Sequence, residues 1–430
     1  MTTRPAPRTS RQPAEPLGAA TRRAALRLLD AVLRRGEALE AALPGAMRAV
    51  HGPDRALAHA IAAETLRRLP DLDALIDAQT RQRLPDDAKA RFALRIALVQ
   101  ALALRTPPHA AIATVLPLVD GGPRKLVHGV FGAVTRSSAN LPEYPTLPGD
   151  TVARWASAWG EEVVEAARRA FAVQPPLDLS LATPAAIAPE GRSLAPLHRR
   201  IDDAAPVPEL PGFGDGGWWV QDIAASLPAR LIGTPRSLGT GRVLDLCAAP
   251  GGKTCQLSAA GWAVTAVDSS ESRLARLRDN LARTGLRADV IRADLLDWAP
   301  PAPADAVLLD APCSASGIFR RHPDVLHRVT DRVIAERADL QARLLARAAD
   351  WVRPGGTLVY ASCSLEPAEG EEQIERLLAS RADFAIAPPT PDELPVTPTE
   401  RGWVRTLPGT LEAEGGCDGF FIARLARASA

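Results

Sequence analysis

The sequence predicts an α/β domain built on a parallel sheet wrapped by helices, preceded by an all-α helical region. Two observations point there. In the first third of the chain apolar residues recur only at helical spacing, and from residue 242 short apolar runs alternate with helical stretches. A Pro-rich joint, LPEYPTLPGD at 141–150, lies between the two patterns.

The bulk numbers set the frame. A chain of 430 residues, 46% hydrophobic and 23% charged, is globular and suits two or three domains. No run approaches the roughly 18 uncharged apolar residues of a membrane span. The first sixteen residues, MTTRPAPRTSRQPAEP, lack the apolar core of a signal peptide and read as a disordered tail. Five cysteines are an odd number and too few for a disulfide framework, so a reducing cytoplasm is the expected compartment. Residues 1–145 carry 21 Lys and Arg against 13 Asp and Glu, a net +8 in a chain of net +1. A basic front suits a polyanionic partner, and equally a solvated basic helical surface. Only Lys89, Lys125 and Lys253 are lysines among 51 basic residues, which draws attention to Lys253 inside the strongest motif below.

Residues 17–145 read as a bundle of about six or seven helices. Leu26, Leu29, Val32 and Leu33 share one face, as do Leu57, Ile61 and Leu66, then Phe92, Leu94, Leu98 and Leu102. Further helices start at Pro108 and near Gly122. Residues 146–235 hold a short helical piece with Trp155, Trp159 and Val163, then a Pro-rich stretch, 175–217, with strand-like fragments such as LDLSLA. This reads as linker helices and a small mixed subdomain. Residues 236–430 form the α/β domain. RVLDLC, AVTAVD, ADVIRAD, ADAVLLD and GTLVYASC are its strands, and GFFIARLA is a last one. Three of the first five runs end in Asp and the other two in Cys. Polar chemistry therefore collects along the carboxyl rim, where such sheets bind ligands.

Five motifs lie on that rim. DLCAAPGGKT, 245–254, is a strand, a glycine turn and a helix start. It is not a phosphate-binding P-loop, which needs Gly where Cys247 stands, nor is it G-x-G-x-x-G. A nucleotide-like ligand without a phosphate chain is the better inference. Asp268, after the second strand, is placed to accept from ribose hydroxyls or to cap a helix. Asp294, after the third, is placed to bond an exocyclic amine or to make a turn. DAPCSASG, 310–317, presents Cys313 from a loop stiffened by Pro312, and YASCSLEPAEGE carries Cys363 at the next strand end. Strand ends side by side bring both thiols into one pocket. As small buried residues, or as a disulfide under oxidation, they have blander readings. A metal site needs more ligands at close spacing, so none is expected.

In this order these motifs resemble the RNA cytosine-C5 methyltransferases. RTPPHAAIATVLPLV and KLVHGVFGAVTR resemble the NusB-like helical domain of the bacterial RsmB (Fmu/Sun) subgroup, whose members modify 16S ribosomal RNA. The resemblance implies a Rossmann-like class I methyltransferase domain behind a NusB-like one, with S-adenosylmethionine as methyl donor and 16S rRNA as partner. It implies Cys363 as nucleophile toward carbon 6 of cytosine, Cys313 in release of the covalent intermediate, and Asp310 at the pyrimidine edge. Cys247, Ala248, Ala249, Pro250, Gly251, Gly252, Lys253, Asp268, Asp294 and Asp310 match the positions around the methyl donor. Arg320, Arg321 and Arg328 flank the Cys313 loop, to grip phosphates or form a surface salt-bridge set. The chain has LDLSLAT where the family usually carries Arg-x-Asn. Cys255 and Cys417 are expected to be structural, and a monomer is the default. On the residues alone, action on tRNA or 23S RNA, or a non-catalytic RNA-binding assembly factor, stays open.

Overall fold

The computed structural model describes residues 17–202, 205–235, 241–390 and 392–429; the tail expected over 1–16 lies outside the described residues. Two compact units divide between Thr146 and Leu147. No helix of the described residues is long and apolar enough to cross a membrane.

The first unit is all helical: α1 (Ala19–Leu33), α2 (Leu39–Ala46), α3 (Pro53–Arg67), α4 (Leu69–Asp77), α5 (Lys89–Leu102), α6 (Pro108–Val115) and α7 (Gly121–Arg136). Helix α5 is its axis, buried without a break from Ala90 to Gln100 rather than along one face. Its two buried arginines reach carboxylates on α4: Arg91 pairs with Asp77 at 2.6 Å and Arg95 with Asp73 at 2.8 Å. On α1, Arg22 donates to Gln100. Part of the basic excess read from the sequence is therefore spent inside the bundle.

The second unit opens with α8 (Gly149–Trp159) and α9 (Glu161–Ala172), two helices where the sequence suggested one short piece. Gly160, at φ +87°, separates them in a backbone conformation that side chains other than glycine rarely adopt. A three-stranded antiparallel sheet follows, ordered β2 (His198–Ile201), β1 (Leu177–Leu181), β3 (Trp218–Val220). Its centre holds a fully buried ion pair. Asp178 accepts two bonds from Arg200, at 2.6 and 2.7 Å, and one from the backbone N–H of Ile223. Burial alone would raise the Asp178 carboxyl, but the Arg200 guanidinium outweighs it and holds it well below the usual range. That stabilisation is present above the ordinary carboxylate range and is lost as pH falls through the depressed value. Asp178→Ala leaves Arg200 buried and unpaired, and should cost about 3–5 kcal/mol in urea unfolding of this unit. A loss under about 1 kcal/mol would mean that water replaces the carboxylate.

Helix α10 (Ile223–Ile232) leads to an eight-stranded sheet. Its strands are β4 (Arg242–Leu246), β5 (Ala263–Asp268), β6 (Asp289–Arg292), β7 (Ala304–Asp310), β8 (Val352–Ser362), β9 (Phe384–Ile386), β10 (Val404–Thr406) and β11 (Phe420–Arg427). The order is β10-β11-β8-β7-β4-β5-β6, with β9 on β11. Strands β8, β7, β4, β5 and β6 are parallel, and β11 pairs antiparallel to β8. Helices α11 (Gly252–Ala259), α12 (Glu271–Thr284), α13 (Asp331–Asp350) and α14 (Glu371–Ser380) make the crossovers. The chain moves outward from β4 to β6 and then returns to β7 on the other side of β4. That reversal opens a crevice at the carboxyl ends of β4 and β7. This is the Rossmann-like architecture expected behind a helical unit.

Candidate active site

Strand β4 stops at Leu246, and the turn into α11 is shaped by two left-handed residues, Cys247 at φ +60° and Gly251 at φ +102°. A Cβ on Gly251 would also lie 2.8 Å from the Leu277 side chain, so the turn is closed to other residues on two counts. Thr254 donates to Asp245 at 2.6 Å and anchors the start of α11 to the sheet. The other oxygen of Asp245 has no partner, and burial pushes this carboxyl up to about 7.

Five of the strand-end residues expected in the site, with Cys247, line one cavity of about 530 Å³: Asp268, Asp294, Asp310, Cys313 and Cys363. Asp268 accepts from the backbone N–H groups of Ala249 (3.2 Å) and Ser270 (2.9 Å), which fix the carboxylate while leaving each oxygen further acceptor capacity. Asp294 accepts from the Leu296 N–H at 2.9 Å. Leu296, Leu340 and Leu344 add an apolar wall. Carboxylates at three successive strand ends suit a ligand that offers hydroxyls, amines and positive charge.

A second cavity of about 530 Å³ shares Asp310 with the first. Its wall takes Ala248, Pro250, Gly252 and Lys253 from the glycine turn, and Trp219 and Gln221 from the end of β3. The segment 247–253 is thus split: Cys247 faces the first cavity, four residues face the second, and Ala249 and Gly251 line neither. Between the cavities Lys253 donates to Asp310 at 2.8 Å and sits 5.5 Å from the Phe420 ring. Burial would lower the Lys253 ammonium, but the Asp310 charge and hydrogen bond outweigh it and hold the group above its ordinary value.

The two thiols come from adjacent parallel strands, β7 and β8, and their sulfurs lie 3.4 Å apart. The contact with Cys363, together with burial, pushes the Cys313 thiol well up, so Cys313 is a neutral S–H at pH 7. Cys255 and Cys417 are buried and neither lines the first cavity, and burial pushes Cys255 up to about 11. No cluster of three metal-ligating side chains occurs among the described residues.

The arginines beside the Cys313 loop are committed to protein carboxylates. Arg320 is buried against Asp222 and Asp418, Arg321 contacts Asp222 at 3.1 Å, and Arg328 contacts Asp324 at 3.1 Å. A buried guanidinium with two carboxylates is not presented to a phosphate, so the phosphate-gripping alternative does not hold for Arg320.

Sequence reasoning missed what supports the loops. Trp155 donates to Glu366 at 3.2 Å, and Trp159 to the Leu365 carbonyl at 2.8 Å, which ties α8 to the loop after Cys363. Phe319, beyond Cys313, packs against Trp155 and Phe171 at 5.4 and 5.5 Å between centroids. The signal available was the Trp155–Trp159 pair at helical spacing, which marks a buried face but not its partner.

Comparisons with known proteins agree with this arrangement. The model of the family described as 16S rRNA methyltransferase RsmB/F matches residues 236–426, and that of the NusB family matches residues 19–136. The chain is 35% identical to Ribosomal RNA small subunit methyltransferase B of Klebsiella pneumoniae over 434 residues, covering 93% of this chain and 96% of the relative. A solved structure described as PH0851 superposes with a TM-score of 0.72 at 22% identity, over 95% of this chain and 98% of its own, a likeness of fold. A methyltransferase homologue from Pyrococcus horikoshii is 27% identical with a TM-score of 0.52, over 64% of this chain and 94% of its own.

Proposed function

The chain belongs to the RsmB/F family of 16S rRNA methyltransferases, and we propose that it methylates carbon 5 of a cytosine in 16S rRNA through a covalent bond between Cys363 and the base. The observation that carries this reading is the pair of sulfurs, 3.4 Å apart, on the wall of a cavity that Asp268 and Asp294 also line. Methyl transfer to an oxygen or an exocyclic nitrogen would require no thiol pair.

The family implies S-adenosylmethionine, and the first cavity suits it: Asp268 would take the ribose hydroxyls and Asp294 the adenine amine. When bound, that molecule supplies an electrophilic methyl group. Carbon 5 of cytosine is a poor nucleophile, and the protein's residues change that. Cys363 gives up its thiol proton to water and adds as the thiolate to carbon 6, and the ring's electron pair moves toward N3, where Asp310 favours protonation. Carbon 5 is then electron-rich enough to take the methyl. Loss of the carbon 5 proton to water restores the double bond and expels the Cys363 sulfur as a thiolate, which regains a proton as N3 releases the one it took. Cys313, a neutral thiol in contact with that sulfur, donates an S–H hydrogen bond to it as it leaves. Lys253 stays cationic and holds Asp310 in place.

The test is chemical identification of the product. Unmodified 16S rRNA incubated with methyl-labelled S-adenosylmethionine should yield label in 5-methylcytidine after digestion to nucleosides. Label in any other nucleoside, or none, sinks the reading. Asp268→Ala should separately weaken S-adenosylmethionine binding by about 1.5–3 kcal/mol, roughly ten- to a hundredfold, by titration calorimetry. Unchanged affinity would remove Asp268 from the donor site.

A further inference from the structure

Resting on the two-thiol reading above, the geometry assigns a positioning residue: we propose that Glu369 sets the separation of Cys313 and Cys363, because one carboxylate is bonded to both loops that carry them. The two sulfurs sit on loops from different strands, β7 and β8, whose ladder ends at Asp310 and Ala361. Beyond that point other bonds must hold the thiols.

Glu369 is fully buried, and no step of the proposed reaction uses it. One of its oxygens accepts from the backbone N–H of Ser314, at 2.8 Å, and from the Gln341 amide, at 3.2 Å. The other accepts from the hydroxyls of both Ser314 and Ser364. Those two serines are the residues directly after Cys313 and Cys363. The Gln341 amide also reaches the carbonyl of Pro312, on the other side of Cys313, at 3.0 Å. The backbone carbonyl of Glu369 is itself fixed by Tyr360, at 2.8 Å, and Ser362, at 2.9 Å, at the end of β8.

An ionised carboxylate only accepts, so it obliges both serine hydroxyls to point toward it. It therefore sets the direction of each loop as well as its distance. Its partners are hydroxyls, an amide and a backbone N–H rather than a cation. Burial raises this carboxyl above its ordinary range, and the serine donors work against that rise. Other links between the loops, such as the Gly317 N–H to the Cys363 carbonyl at 3.0 Å and the Leu365 N–H to Ser316 at 2.9 Å, each join one point to one point. The Ser314 and Ser364 hydroxyls also meet at 3.2 Å, but among the described residues only the carboxylate joins both of them to the helix behind, α13.

The test reads the thiol separation without the reaction. In the full chain, diamide oxidises two thiols that can meet: a sulfur–sulfur bond forms, and two electrons and two protons pass to diamide, which becomes its hydrazine. Formation of the Cys313–Cys363 link is timed by peptide mass mapping, in the absence of RNA and methyl donor. Glu369→Gln keeps the volume but adds an amide donor where the hydroxyls donate. It should slow cross-linking by about tenfold or more, and lower kcat for RNA methylation by about tenfold or more, with KM within about threefold. A merely structural residue would lower folded fraction and melting temperature and leave the cross-linking rate of the folded protein unchanged. If Glu369→Gln does not fold, Ser364→Ala, which deletes one donor, carries the same measurement with a smaller slowing in the same direction. Cross-linking at the wild-type rate, or an unchanged kcat, overturns the assignment. A wild-type chain that cross-links but makes no 5-methylcytidine overturns the reaction reading instead, so the two failures are told apart.

Discussion

Cys363→Ala should abolish methyl transfer to 16S rRNA, and Cys313→Ala should leave the protein covalently attached to the RNA. Removing the nucleophile of a tightly coupled set costs on the order of 10⁴-fold or more, since the remaining groups still bind and orient the substrate but form no bond to carbon 6. Removing Cys313 leaves addition and methylation possible and takes away the S–H that stabilises the departing Cys363 sulfur. A denaturing gel after incubation with labelled RNA reads both results at once. Wild type should give product and little shifted protein, Cys363→Ala neither, and Cys313→Ala a shifted band. The distance makes the test sharp. At 3.4 Å apart the two sulfurs are almost equally placed with respect to the cavity, so position alone does not say which attacks. The assignment of the attack to Cys363 rests on the order of motifs that the chain shares with its family. A shifted band from Cys363→Ala rather than from Cys313→Ala would reverse the assignment.

What was legible in the sequence follows from where the information is local. A strand that ends in Asp or Cys before a glycine or proline turn declares both its element and the rim it serves. Asp268, Asp294, Asp310, Cys313 and Cys363 were therefore traced to one crevice before any distance was known, and the structure brings them to one cavity. The helical unit was legible for the same reason, since amphipathic periodicity is a local property. Long-range pairing was not. Arg320 in ion pairs with Asp222 and Asp418 reads in sequence like an arginine reaching for phosphate, because nothing in its own neighbourhood names carboxylates about 100 residues away. Arg91 and Arg95 interrupt the apolar pattern of α5, yet the helix is buried there because α4 supplies the counter-charges. Glu369 was hidden within an acidic run, EPAEGEE, whose members look alike until Glu366 and Glu369 turn inward.

The glycine turn shows a finer limit. Its seven residues were treated as one binding segment, whereas the structure turns Cys247 toward one cavity and Lys253 toward another. The change of side comes directly after Cys247, whose left-handed backbone at φ +60° separates it from the residues that line the second cavity. In the proposed reaction function divides along the same line, with Asp268 and Asp294 on one side and the Asp310–Lys253 pair on the boundary.

That pair supports the second large prediction. Asp310→Asn and Lys253→Gln should each lower kcat by about 10²–10³-fold, the range expected when a positioned proton donor or charge at a developing anion is lost. The double variant should cost much less than the two effects multiplied together. Each single change leaves the other member without its partner: Lys253 is almost wholly buried against Asp310 and the Phe420 ring, and an uncompensated cation there is costly. The coupling should therefore be about 2–3 kcal/mol in a double-mutant cycle on kcat/KM. Lys253→Arg should not rescue, because a planar guanidinium cannot replace a compact ammonium in that space. The pH profile supplies an independent check. A lysine held above its ordinary value contributes fully below that value, and its contribution is lost only as pH rises through the raised one. Between about pH 6 and 9 Lys253 should therefore contribute no titration of its own, since a free lysine side chain titrates near 10.4. Independent effects that multiply would mean that Lys253 and Asp310 act on different steps, and that their 2.8 Å contact is incidental to the reaction.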